Sequence, residues 1–187
     1  TCLALCEGQY LDIAMSASRQ LVSVERYFDM IGRKTASLIA ASIEAGALLA
    51  TDDDEVIARY RGFGWALGIA FQLNDDLLGI WGAELATGKE PSDLLHRKQT
   101  LPVIYAHEAA GPEDRARIGS LLARPELASD EVTELVAILE RTGAREYTRD
   151  QARRYRDEAL AELDAAGVVQ PAARARLEEI IVSVIAA

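Results

Sequence analysis

Apolar residues recur at intervals of three and four along almost the whole chain, and the first proline is Pro91. That is the period of a helix, not the two-residue alternation of a strand, so the chain is expected to be all-α. A first helix is predicted over roughly residues 2–21. Ser23 then caps a second that runs to about Ala50. The run TDDDE at 51–55 offers both a cap and the negative charge that a helix N-terminus favours, which opens a third helix over about 54–81. It is apolar on most sides and should therefore be central. Gly82 is expected to end it, and AELATGKEPSDLLHRKQT follows as the longest polar segment, rich in turn residues. TLPVIYAHEAA resumes a buried helix. Pro112, Ser129 and Gly143 punctuate shorter amphipathic helices, a charged helix spans about 144–166, and a last one follows Pro171. No linker or internal repeat interrupts the pattern, so residues 1–187 read as part of a single domain.

Composition narrows the function classes. The chain has 187 residues, half of them hydrophobic, enough for one domain with a sizeable core. Its net charge of -10 argues against nucleic acid, because duplex binding rests on clustered Lys and Arg that neutralise phosphates. No run of about 18 uncharged apolar residues exists to span a membrane, and no basic-then-apolar signal peptide opens the chain, which points to the cytoplasm. The chain starts TCLALCEGQYLD, without Met and already in a helical pattern, so residues are expected to precede it. Cys2 and Cys6 would share a helix face and read as reduced core residues, since no further Cys or nearby His completes a metal set. Gly62, Gly64 and Gly68 have the wrong spacing for a dinucleotide fingerprint and follow no strand; close helix packing accounts for them. Trp65 and Trp81 read as core or subunit-contact residues, and His96 and His107 as surface residues.

The chemistry concentrates in FQLNDDLLGIWG, residues 71–82. Gln72, Asp75 and Asp76 fall at i, i+3 and i+4 and project from one helical face. Carboxylates in so apolar a segment must be paired, exposed or bound to a cation. Adjacent ones also repel, and a hard ion such as Mg²⁺ relieves both problems with oxygen ligands. Salt bridges to helical arginines remain open as an alternative. Mg²⁺ held by one or two carboxylates usually completes its shell with water and substrate phosphates, and the polar loop downstream provides Lys89 and Lys98 for phosphate oxygens. Lys34, in GRKTAS, is a third cation, awkwardly set against an apolar helix.

The succession GQYLD, YFDMIGRKTASL, GIAFQLNDDLLGIWG and TGKEPSDLLHRKQTLPVIYA resembles the later half of the trans-isoprenyl diphosphate synthases, the polyprenyl synthetase family, over essentially the whole chain. The resemblance implies an all-helical bundle around a deep central cavity, of which these are the later helices. It implies a Mg²⁺-dependent prenyltransferase that condenses an allylic diphosphate with isopentenyl diphosphate into a longer trans-polyprenyl diphosphate, as a farnesyl or geranylgeranyl diphosphate synthase does. Carried over residue by residue, Asp75 resembles the direct Mg²⁺ ligand of the family's second aspartate-rich motif, with Asp76 beside it. Lys34, Lys89 and Lys98 resemble the diphosphate-binding lysines, Thr35 and Gln72 the residues whose dipoles steady the developing cation, and Gln9 and Asp12 the polar pair on the preceding helix. A dimer is implied as well.

Two departures qualify the resemblance. The second motif is usually DDxxD, but here it is DDLLG, with Gly79 in place of the last Asp, which implies weaker metal binding. The first aspartate-rich motif, which binds the other ions, is absent from the 187 residues, and the Asp52–Asp54 cluster is a helix cap. The chain alone is therefore expected to be catalytically incomplete, its other half lying upstream or on a second chain. The alternatives are a non-catalytic regulatory subunit of a heteromeric synthase and a terpene cyclase on the same fold.

Overall fold

The structure, a computed structural model, describes residues 1–18, 21–85, 92–124, 126–167 and 170–184. The described residues contain helices and no strand, as the period requires. In chain order they are α1 (Cys2–Ala17), α2 (Val24–Ile31), a π-helical turn (Gly32–Ala36), α3 (Ser37–Leu48), α4 (Asp54–Leu85) and α5 (Ser92–Leu95). Then follow α6 (Leu101–Ala109), α7 (Pro112–Leu122), α8 (Ser129–Arg141), α9 (Ala144–Ala165) and α10 (Pro171–Val184).

Several boundaries follow from local chemistry. Ser23 caps α2 through its hydroxyl, which accepts the Arg26 N–H at 3.3 Å. Asp53 does the same for α4, its carboxylate accepting from the N–H groups of Glu55 at 2.9 Å and Val56 at 3.2 Å, so the acidic cluster is a cap as expected. Gly143, at φ 74°, takes the left-handed turn that separates α8 from α9.

Helix α4 is the axis of the bundle. Its 32 residues make a rod of about 48 Å, lined by the buried Phe63, Ala66, Ala70, Leu73 and Leu77 and packed between α3 and α9. Its glycines do what their spacing suggested. A Cβ on Gly64 would lie 2.7 Å from the Ala40 Cα, and one on Gly68 would lie 2.6 Å from the Ala36 Cα, so α3 and α4 touch backbone to backbone. At one end Leu77 and Trp81 join Leu94 and the apolar faces of α6, α7 and α8. In the middle Met15, Tyr27, Ile31, Leu73, Leu101 and Ile104 form a second core.

Five expectations need correction. Helix α1 ends at Ala17, not near 21, because Ser18 turns to extended backbone. The second helix is interrupted by the π turn at Gly32–Ala36, which no periodicity signals. Helix α4 continues through Gly82 to Leu85; a single glycine costs a helix only about 1 kcal/mol, less than the burial of Ile80 and Trp81 in the turn just before it supplies. Cys2 and Cys6 are exposed, because α1 meets its neighbours through the stripe containing Gly8, Leu11, Asp12 and Met15, and the cysteines lie off it. His107, expected at the surface, is half-buried, and burial together with the Arg115 charge lowers its pKa.

Candidate functional site

The π turn is where the site begins. Widening the helix by one residue over Gly32–Ala36 directs two consecutive side chains to two different helices. The Lys34 Nζ lies 2.6 Å from Asp12 Oδ2 on α1, and the Thr35 hydroxyl donates to Gln72 Oε1 on α4 at 3.0 Å. The approach of α1 depends on Gly8, whose Cβ, if it had one, would stand 2.6 Å from the Lys34 Cα. Gln9 is exposed on α1, one turn before Asp12.

With its oxygen committed to Thr35, the Gln72 amide turns its nitrogen toward both acids, 3.3 Å from Asp75 Oδ2 and 3.4 Å from Asp76 Oδ1. The two acids then diverge. Asp75 leaves 56% of its side chain exposed and has Lys98 Nζ at 3.8 Å. Asp76 is fully buried. Its Oδ2 accepts from the Tyr27 hydroxyl on α2 and, at 2.9 Å, from the Leu101 N–H, which is the first residue of α6. Burial pushes the Asp76 carboxyl up to about 6, against the pull of these donors and of Lys98. The same carboxylate, with burial, raises the Tyr27 pKa well above its usual value.

Lys98 is the cation of this cluster. Its Nζ lies 3.4 Å from Asp93 Oδ2 as well as near Asp75. Burial pulls its pKa down, but Asp76, Asp93 and Asp75 outweigh burial and leave it raised, so the amine is charged at neutral pH. Gln99 braces the segment that carries it, donating to the Met15 carbonyl at 2.8 Å and accepting from the Val22 N–H at 3.1 Å.

The structure thus brings Thr35, Gln72, Asp75, Asp76 and Lys98 into one hydrogen-bonded and ion-paired row, with the Lys34–Asp12 pair beside it. Lys89 lies outside the described residues. The sequence reading missed Tyr27 and Asp93. Tyr27 sits seven residues before Lys34, two helical turns along, which is a face-sharing signal; Asp93 lies five before Lys98 in a polar loop, where spacing carries no such signal.

Among the described residues no group of three or more acidic, His or Cys side chains is arranged to enclose a metal. What is present fits an ion of a different kind: one exposed carboxylate, Asp75, open to a divalent cation that takes its remaining ligands from water and a phosphorylated substrate. Asp76, sealed from solvent, stands behind it.

Comparison with known proteins bears on this arrangement. The family model described as polyprenyl synthetase matches residues 1–139. A short chain isoprenyl diphosphate synthase of Methanothermobacter thermautotrophicus is 41% identical over 150 residues, which are 79% of this chain and 45% of that protein. The solved geranylgeranyl pyrophosphate synthetase of Pyrococcus horikoshii superposes with a TM-score of 0.88 at 30% identity, covering 97% of this chain and 54% of that one. A polyprenyl synthase of Caulobacter crescentus, solved with calcium and isoprenyl diphosphate, superposes at 0.85 with 32% identity, over 98% of this chain and 56% of its own. The chain therefore spans about half the length of the relatives it matches. No helix among the described residues is long and apolar enough to cross a membrane.

Proposed function

The chain belongs to the polyprenyl synthetase family, and from that premise we propose that its residues form the diphosphate-holding side of a prenyltransferase site. The reaction joins an allylic diphosphate to isopentenyl diphosphate and gives a longer trans-polyprenyl diphosphate. The observation that supports this most is the continuous row Thr35, Gln72, Asp75 and Lys98, drawn onto one side of α4 from the π turn, α4 itself and the segment after α5.

In this reading the allylic C–O bond breaks with its electron pair leaving on the diphosphate, the isopentenyl double bond attacks the resulting carbocation, and a proton is lost. Lys34 and Lys98 hold diphosphate oxygens, with Lys89 as a third cation. Asp12, 2.6 Å from Lys34, fixes that amine, and Gln9 supports it from the same helix. The oxygen dipoles of Thr35 and Gln72 steady the carbocation. Asp75 is the ligand for Mg²⁺, with Asp76 behind it, and the ion when bound supplies positive charge for the departing diphosphate. Charge stabilisation of this kind in a preorganised site is commonly the largest contribution to catalysis.

The 187 residues lack the first aspartate-rich motif, and activity requires it, on the same chain or on a partner. The large apolar side chains exposed on α1, α3 and α4 support an assembled protein, a homodimer or a pair with a second chain.

The test is chain elongation by the protein that joins these residues to that motif, given Mg²⁺ and a labelled allylic diphosphate with and without isopentenyl diphosphate. A longer labelled diphosphate that depends on isopentenyl diphosphate is expected; a cyclic hydrocarbon formed without it, or no turnover, overturns the reading. Asp75→Ala should lower turnover about a hundredfold, and an unchanged rate means that another carboxylate holds the ion.

A further inference from the structure

Gly79 stands one helical turn beyond Asp75 on α4, where the family resemblance leads one to expect a third carboxylate. Its backbone does not require glycine, since it is absent from the residues with positive φ. Glycine inside a helix is unfavourable relative to alanine, so some other feature of the site demands it. The space a side chain would fill is occupied by Asp93: a Cβ on Gly79 would lie 2.5 Å from the Asp93 Cγ and closer still to its Oδ2. A side chain at 79 would therefore force the Asp93 carboxylate to shift.

Asp93 is held there by the turn that follows α5. The Lys98 N–H donates to the Asp93 carbonyl at 2.9 Å. Arg97 adopts φ 52°, a left-handed conformation that L residues avoid, and its guanidinium donates to the Arg124 carbonyl at 2.8 Å. The chain doubles back so that the Lys98 amine lies 3.4 Å from the Asp93 carboxylate and 3.8 Å from that of Asp75. Asp93 is the less accessible of these two acids, with 16% of its side chain exposed.

We infer that Asp93 is a positioning residue that supplies the carboxylate missing from position 79, entering through the gap that Gly79 leaves in α4 and fixing Lys98 for a diphosphate oxygen. The inference rests on the prenyl-transfer reading for the identity of the anion, but the geometry of Gly79, Asp93 and Lys98 stands apart from it. Its consequence is that a side chain at 79 harms the site without harming the helix, because what it displaces is the far end of a flexible side chain.

Four variants test this in the protein that supports turnover: Gly79→Ala, Asp93→Asn, Asp93→Gly and the exchange Gly79→Asp with Asp93→Gly. Gly79→Ala is expected to melt at or above the wild-type temperature. It and Asp93→Asn should each raise KM for the allylic diphosphate about tenfold, the loss of one charge-assisted contact, with a smaller change in kcat. The exchange, which returns the carboxylate from α4, should recover most of the KM that Asp93→Gly loses. A second readout needs no turnover: the rise in melting temperature on adding Mg²⁺ and inorganic diphosphate should follow the same order. A wild-type KM and thermal shift in Gly79→Ala, or an exchange no better than Asp93→Gly alone, overturns the inference. A wild-type protein that does not turn over, yet shows the expected order of thermal shifts, overturns the prenyl-transfer reading and upholds the role of Asp93.

Discussion

At the scale of single residues, Asp75 and Asp76 are neighbours in the chain but opposites in environment. Asp76 is sealed under Tyr27 and Leu101, and its pKa rises from 3.8 to about 6. A folded pKa above the unfolded one means that the folded state binds the proton more tightly. Stability from this group is thus full below about pH 4 and lost as pH rises through 6, by a total of about 3 kcal/mol. Asp76→Asn removes the titration. Measured by urea unfolding in EDTA, the stability of the variant relative to wild type should climb between pH 4 and 7 and then level off; a constant difference would mean that Asp76 is ionised throughout. Tyr27 carries the complementary prediction. Tyr27→Phe leaves the buried carboxylate without one of its donors, which should cost about 2 kcal/mol at neutral pH, seen as a lower urea midpoint at unchanged slope. Two adjacent acids inside an apolar run were enough to single out this pair in the sequence. Which of the two would be buried was not legible, because that depends on Tyr27 and on the start of α6, both remote in the chain.

At the scale of elements, two glycines with equally crowded surroundings should respond oppositely to alanine, because the neighbours differ in kind. At Gly79 the obstacle is the tip of Asp93, free to swing aside. At Gly8 it is the backbone of Arg33 and Lys34, 2.8 and 2.6 Å from the added Cβ, inside a π turn packed against α4. Gly8→Ala must push α1 off that turn, at a cost of about 1–3 kcal/mol typical of overpacking, and should loosen the Lys34–Asp12 pair with it. Calorimetric melting of the two variants side by side checks the contrast, and a Gly8→Ala protein as stable as wild type would show that α1 is free to shift. The helix pattern and the glycine contacts between α3 and α4 were legible because packing at fixed period leaves a repeated trace. The π turn leaves none. A single inserted residue in GRKTA has no periodicity of its own, and its effect appears only as Lys34 and Thr35 reaching separate helices.

At the scale of the whole molecule, α4 presents an unusual exposed face around the site. Trp65, Phe71 and Leu78 are all substantially exposed, and Phe71, Asp75 and Leu78 fall at i, i+4 and i+7, on one stripe. The proposed metal ligand therefore lies between two apolar side chains in contact with water. Leu38, Leu48 and Leu49 on or just after α3, and Leu3, Tyr10 and Ile13 on α1, extend the apolar exposure. Scattered exposed hydrophobics are ordinary, but two that flank a polar site residue on one stripe, as Phe71 and Leu78 flank Asp75, mark a surface that another surface covers. Electrostatic stabilisation of a departing diphosphate also works far better when water is excluded, so the same cover that satisfies the apolar stripe would sharpen the chemistry. The 187-residue chain by itself should then self-associate and bind a fluorescent apolar dye, and Phe71→Ser with Leu78→Ser should reduce both without lowering the melting temperature, since neither side chain belongs to the buried core. Sedimentation velocity over a concentration series, read beside dye titration, makes the measurement. A monomer at every concentration with no dye binding would mean that the stripe is tolerated in water, and that Asp75 works from an open surface.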